Sequence, residues 1–242
     1  MPEITLFDLS SKPKNFCWSY NPWKTRLQLN YKGINYKTEW LEYPEVAPKF
    51  KSLGLEPNPQ DVNPTPYSIP TVIFHSDNKA IMDSKAIAEE IEKRYPTPTL
   101  PIDTPTREKL GENFKVVAGS LVPELVARVP RVLLNPTSRE YFERTRAERF
   151  GMPLEEYEKK EGGEQAWDKA EKGLEAIAGM LKEKGGPFLD GSQVSFADFQ
   201  VVGLLRFMEI LHQSLYERIT KTYPEFGKLY DASKQWLERD NH

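Results

Sequence analysis

Four prolines in ten residues, Pro96-Thr-Pro-Thr-Leu-Pro-Ile-Asp-Thr-Pro105, constrain this 242-residue chain more than any other feature. Proline fixes φ, has no N–H to donate and drives the residue before it out of the helical region. No regular element crosses such a run, so residues 97–105 read as a linker between residues 1–96 and residues 106–242. The hydrophobic pattern also changes there, from mixed periods before the linker to a helical period alone after it.

Before the linker, strands and helices alternate. Glu3–Phe7 reads as a short strand. Trp23, Leu27 and Tyr31, with Leu29 flanking, follow helical spacing; Asn21 suits the N-cap, Pro22 the first helical position and Gly33 the C′ position. Ile34–Trp40 alternates as a second strand, and Pro44–Pro66 predicts a weak helix near Val46–Leu53 and then a loop. Strand Thr71–Phe74, turn Ser76–Lys79, a short return Ala80–Met82 and a helix Ser84–Tyr95 carrying Ile87, Ala88 and Ile91 complete the half. The order β-α-β-(α)-β-β-α matches a thioredoxin-like layer.

After the linker no strand is evident. Helices are expected near 106–128, 137–150, 164–184, 196–213 and 224–239. The fold class is therefore α/β plus all-α: a thioredoxin-like N-terminal domain followed by an all-helical C-terminal domain. Phe114, Val117, Leu121 and Leu125 read as core. Ser195-Phe-Ala-Asp198 has capping-box spacing ahead of an apolar run and reads as the start of a buried helix. Opposite charges at helical spacing across Ser138–Phe150 read as a solvated face.

Composition removes several function classes. A net charge of −3 and a pI near 5.8 argue against a nucleic-acid binder. No apolar run approaches the roughly 18 residues of a membrane span. Met1-Pro-Glu-Ile-Thr does not open like a secretory leader, so a cytoplasmic protein is expected. One cysteine (Cys17) and three scattered histidines (His75, His212, His242) argue against an intrachain disulfide and against a metal site.

Three places could carry chemistry. Ile69-Pro70 opens the third strand; either Pro70 merely starts it, or a cis bond turns the Ile69 backbone outward to pair with an extended ligand. Asp83-Ser84 opens the next helix; either residue caps it, and the same geometry holds a carboxylate and an ammonium group. Strand edge and helix start together suit a small extended peptide with an amino-acid head. Ser19 lies just ahead of the first helix, where a hydroxyl donates to a thiolate and the helix field adds to it. Lowering a thiol pKa from about 8.5 to between 6 and 7 needs roughly 2–3 kcal/mol. One charge-assisted hydrogen bond supplies about 1.5–3 kcal/mol and a helix terminus about 0.3–1, which suffices without a general base. Asn21 is the alternative sulfur contact. Cys17 is a small buried hydrophobe or, so near a helix start, a reactive thiol.

Together these residues resemble the cytosolic glutathione transferase family over essentially the whole chain. The likeness runs through Ser19, Pro22-Trp-Lys-Thr-Arg-Leu27, Lys32-Gly-Ile34, Asn63-Pro64, Ile69-Pro70-Thr-Val72, Asp83-Ser84-Lys-Ala-Ile87 and Ser195-Phe-Ala-Asp198. The runs Trp18–Lys24 and Arg139–Gly151 look like its fungal etherase-related branch. The resemblance implies that Pro70 is a cis-proline, that Ile69 pairs with the cysteinyl backbone of glutathione, and that Asp83 and Ser84 hold the γ-glutamyl head. Ser19 would stabilise the thiolate, and Tyr20 would border a hydrophobic electrophile. Lys51 and Glu56 are further candidate contacts. A serine rather than a cysteine at position 19 favours conjugation or β-aryl ether cleavage. Glutathione as co-substrate, no metal, detoxification, and a pair of identical subunits are further expectations of the family. A ligandin-type carrier of aromatic compounds is the alternative function.

Overall fold

The computed structural model describes residues 1–61 and 63–242. Strand β1 (Ile4–Leu9) is buried along its whole length, as an interior strand covered on both faces must be. It pairs in parallel with β2 (Tyr36–Leu41) and antiparallel with β3 (Thr71–Phe74), which pairs in turn with β4 (Lys79–Met82). The sheet order is β2-β1-β3-β4. Strand β3 is therefore interior, so the exposed strand edge expected beside Pro70 is absent; only Ile69, ahead of the strand, keeps a free backbone. Its N–H and C=O have no hydrogen-bond partner among the described residues.

Helix α1 (Tyr20–Tyr31) crosses one face of the sheet. Arg26, fully buried, fixes it: one guanidinium nitrogen bonds the Asp8 carboxylate at 2.9 Å and Thr38 Oγ1 at 3.1 Å, and another reaches Tyr36 Oη at 3.3 Å. A buried ion pair is favourable only when such extra hydrogen bonds satisfy it. Cys17 is buried against the same cluster, and burial raises its thiol pKa well above the ordinary range. That leaves Cys17 the role of a small hydrophobe. Helix α2 (Tyr43–Ser52) begins at a capping box made by Glu42 and Glu45, three residues earlier than periodicity predicted. Helix α3 (Ser84–Arg94) completes the layer.

The half that follows the linker is built on helices. These are α4 (Pro105–Val126), α5 (Val129–Val132), α6 (Pro136–Phe150), α7 (Leu154–Glu161), α8 (Glu164–Glu183), α9 (Phe196–Leu211), α10 (Gln213–Thr222) and α11 (Pro224–Leu237). The short helices α5, α7 and α10 were not predicted. Phe114, Val117 and Leu121 are buried, as their spacing requires. The two halves are joined closely. Gly203 on α9 sits where an added Cβ would lie 3.3 Å from the Tyr20 carbonyl, so α1 and α9 approach backbone to side chain. Asn135 Nδ2 donates to Glu42 Oε1 at 2.7 Å, Ser138 donates to the same carboxylate, and the Tyr43 N–H donates to Ser138 Oγ at 2.9 Å. These bonds hold α6 over the start of α2, and Asn30 Nδ2 holds the carbonyls of Trp236 and Arg239 on the opposite side.

No helix of the described residues is long and apolar enough to cross a membrane, and no three His, Cys, Asp or Glu side chains among them cluster as a metal site would need.

Candidate functional site

The first helix begins at Tyr20, not at Pro22. Ser19 is its N-cap, in extended conformation, and its hydroxyl accepts no capping bond. Asn21 and Pro22 therefore occupy the second and third helical positions. The backbone reason is that Pro22 lacks an N–H, which no first-turn residue needs. The N–H groups of Tyr20 and Asn21 have no acceptor among the described residues. An idle hydroxyl and two idle amides thus stand together at the positive end of a twelve-residue helix.

Two cavities meet there. The first, about 480 Å³, is walled by Leu9, Val46, Ala47 and Lys51 on one side and by the loop Asn63–Ile69 on the other. The second, about 390 Å³, is walled by Trp18 and Tyr20, by Ala118, Val122 and Val126 of α4, by Phe150, and by Leu204 and Phe207 of α9. Five residues line both: Ser19, Asn21, Tyr43, Arg146 and Arg149. The first cavity is the polar one, and the second is dominated by aliphatic and aromatic side chains. Tyr43 stays a neutral phenol through the physiological range, because burial pushes its pKa up to about 12.

The loop wall is set by Asn58. Its N–H donates to the Pro66 carbonyl at 2.7 Å, and its side chain to Thr65 O at 2.9 Å and Ser68 Oγ at 3.2 Å. The Ile69-Pro70 bond is cis. Ile69 lines the polar cavity, while Pro70 is buried behind it. The pairing of Thr71 with Met82 sets Asp83 and Ser84 beside Pro70 at the end of the sheet, and none of these three residues lines either cavity. Asp83 caps α3 through Oδ1, which accepts from Lys85 N at 2.9 Å and Ala86 N at 3.1 Å. Its φ of +85° is one that L residues rarely adopt, a conformation costing about 1–3 kcal/mol and typical of ligand sites. Ser84, buried, makes no side-chain bond among the described residues.

Lys51 lines the polar cavity with its ammonium 5.7 Å from the Tyr67 ring centroid; Glu56 is exposed and lines neither cavity. Tyr20 lines the apolar cavity, stacked on Phe114 at 5.6 Å with its hydroxyl facing Gln200. Burial raises the Tyr20 pKa, so it too remains a phenol. Of the core residues named from spacing, Leu125 reaches the apolar cavity.

Lys24 and α6 were missed. Lys24 lies over the Tyr20 ring at 4.7 Å; burial lowers its pKa to about 8, against the attraction of Asp83 and with the help of Arg107. Helix α6 does carry a solvated face, where Arg139 pairs with Glu143 and Arg144 with Glu148. Its other face, Phe142, Arg146, Arg149 and Phe150, lines the cavities. The spacing of those four residues, i, i+4, i+7 and i+8, was the available signal.

Known proteins resemble this chain in sequence and fold. The family pattern described as the glutathione S-transferase N-terminal domain matches residues 18–94, and that of the C-terminal domain matches residues 112–236. A glutathione S-transferase-like protein of Aspergillus flavus, ustS, is 34% identical over 240 residues, covering 91% of this chain and 85% of that one. A glutathione S-transferase of Ceriporiopsis subvermispora, crystallised in complex with glutathione, superposes with a TM-score of 0.83 at 31% identity, covering 96% of this chain and 97% of that one. Glutathione transferase GSTFuA2 of Phanerochaete chrysosporium superposes at 0.86 with 28% identity over 100% of both chains. With a thioredoxin-like layer, a helical second half and two cavities meeting at an open helix start, the chain belongs to the glutathione S-transferase family.

Proposed function

We propose that this transferase binds glutathione in the polar cavity and directs its thiolate at a hydrophobic electrophile held in the apolar one. The open cap of α1 carries the reading: the Ser19 hydroxyl is unused by its own helix and lies where the two cavities join. In this reading the first 96 residues hold glutathione, and residues 106–242 supply most of the electrophile's walls.

The roles follow from position. The Ile69 backbone pairs with the cysteinyl residue of glutathione. The Ser84 hydroxyl and N–H take the glutamyl carboxylate, and Asp83 Oδ2 takes its ammonium group. Lys51 takes the glycyl carboxylate. Ser19 Oγ donates to the sulfur, with the Tyr20 and Asn21 amides adding the field of the helix. The thiolate sulfur then bonds to an electrophilic carbon. From an aryl halide the halide departs with its electron pair; from a β-aryl ether a phenoxide departs and takes a proton from solvent. A carrier of aromatic compounds would need the apolar cavity but gain nothing from an idle hydroxyl beside it.

The test is turnover of an aryl halide and of a β-aryl ether by the wild type and by Ser19→Ala. Turnover that falls about tenfold to a hundredfold in the variant, the loss of one charge-assisted bond, supports the reading. Glutathione binding without turnover of either substrate would leave a carrier, and no retention on immobilised glutathione would remove both functions.

A further inference from the structure

We infer that the electrophile taken by this site is an aromatic compound bearing an acidic group, with its ring in the apolar cavity and its anion on Arg146 and Arg149. The inference rests on the transferase reading above and narrows its substrate class.

The charge of the walls is one-sided. The residues lining the two cavities include Lys51, Arg146 and Arg149 and no aspartate or glutamate. On α6 itself the contrast is sharper. Arg139 and Arg144 each meet a glutamate one turn away, whereas Arg146 and Arg149 have no carboxylate partner among the described residues. Glutathione does not account for these two cations. In the reading above its glutamyl carboxylate goes to the start of α3 and its glycyl carboxylate to Lys51, which leaves the pair at the junction over.

Arg146 is also held in place. Its guanidinium lies 4.3 Å from the Phe142 ring centroid and 5.3 Å from that of Tyr43. Stacking occupies the faces of the guanidinium and leaves its edge free. Of the five edge N–H groups, the described residues engage only Nη1, which donates to Thr145 Oγ1 at 2.9 Å. A planar fork with idle donors, beside an apolar chamber, matches a carboxylate on an aromatic ring. Val122, Val126, Leu204 and Phe207 line the chamber that would take the ring. Ser19 borders the same junction, so an electrophile anchored there presents its ring carbon on the thiolate side.

A matched pair of electrophiles tests this: a chloronitrobenzoate and the corresponding chloronitrobenzamide, with chlorine para to the acid or amide group and nitro beside chlorine. Each kcat/KM is divided by the uncatalysed rate with free glutathione thiolate. The wild type is expected to favour the benzoate, and the preference to shrink as salt is added. In Arg146→Gln the benzoate-to-benzamide ratio is expected to fall about tenfold or more, the loss of one charge-assisted bond. Arg149→Gln, at an exposed position, should lower it less, and it serves as the readout if Arg146→Gln does not fold. A ratio unchanged in the folded variants overturns the inference. So does an equal loss on both electrophiles, which would assign the arginines to glutathione. Wild-type protein that turns over the β-aryl ether or an uncharged aryl halide but not the benzoate overturns the inference alone; turnover of none of these compounds refutes the transferase reading, and the inference falls with it.

Discussion

Ser19 and Ser195 begin two helices that pack against each other, α1 and α9, and they are used in opposite ways. Ser195 is closed. Its hydroxyl donates to Asp198 Oδ2 at 2.8 Å, its N–H donates to the same oxygen at 2.8 Å, and the other oxygen accepts from Leu189 N at 2.7 Å. Both residues are fully buried. Ser19 is open, half-buried at the junction of two cavities, and its hydroxyl bonds nothing in its own helix. One helix start is satisfied internally and secures the fold. The other leaves its donors unused by the described residues. The same residue type at the same local position therefore says little by itself; the partner three residues on, Asp198 against Pro22, separates the two.

The contrast can be broken at either end. Asp198→Ala should have the largest effect. It strands two N–H groups and a hydroxyl in the core, which should cost about 3–5 kcal/mol. Tm should drop by roughly 10 °C in a thermal melt. A fall of under a degree would show that the closed cap is not structural. Ser19→Ala should do the reverse, lowering kcat/KM for an aryl halide about tenfold to a hundredfold while Tm stays within about 1 °C. Asp83→Asn keeps the acceptor for Lys85 and Ala86 but removes the charge, so KM for glutathione should rise about tenfold. An unchanged KM would take Asp83 out of the site. Ser195→Ala should cost only about 1 kcal/mol, since Asp198 keeps its two backbone donors.

The pH-dependent effect concerns Lys24. Its folded pKa, about 8, lies below the value of about 10.4 expected when unfolded. The charged form is therefore penalised on folding below pH 8, and the penalty fades as pH rises from about 8 to about 10.4. Lys24→Met should melt above the wild type at pH 7, and the two melting temperatures should converge toward pH 10.4. A constant difference across that window would contradict the burial account.

Most of the fold was legible because local signals and tertiary demands agree in it. The order of strands, the four prolines of the linker, Gly33 after α1 at φ +65° and the capping box of α9 each follow from residue types a few positions apart. The start of α1 was placed two residues late because Ser19 and Asn21 are both competent caps and Pro22 is tolerated anywhere in the first turn. Packing of Tyr20 against Gly203, 183 positions on, decides between them. The polar cavity was half legible: Ser19, Asn21 and Ile69 line it, whereas Asp83 and Ser84 do not, and strand pairing places them beside Pro70. The role of α6 was hidden because its charge pattern is real but covers only one face, and the face that matters is selected by Glu42 gripping Asn135 and Ser138 from more than ninety residues away.

The central claim is that Ser19 lowers the thiol pKa of bound glutathione. Titrating the thiolate absorbance of the bound tripeptide against pH, in the wild type and in Ser19→Ala, measures it directly. The account predicts a wild-type value of about 6 to 7, below the free-thiol value of about 8.5, and a rise of about one to two units in the variant. A value that does not move when the hydroxyl is removed would contradict it and assign the sulfur to Asn21 or to the amides at the start of α1.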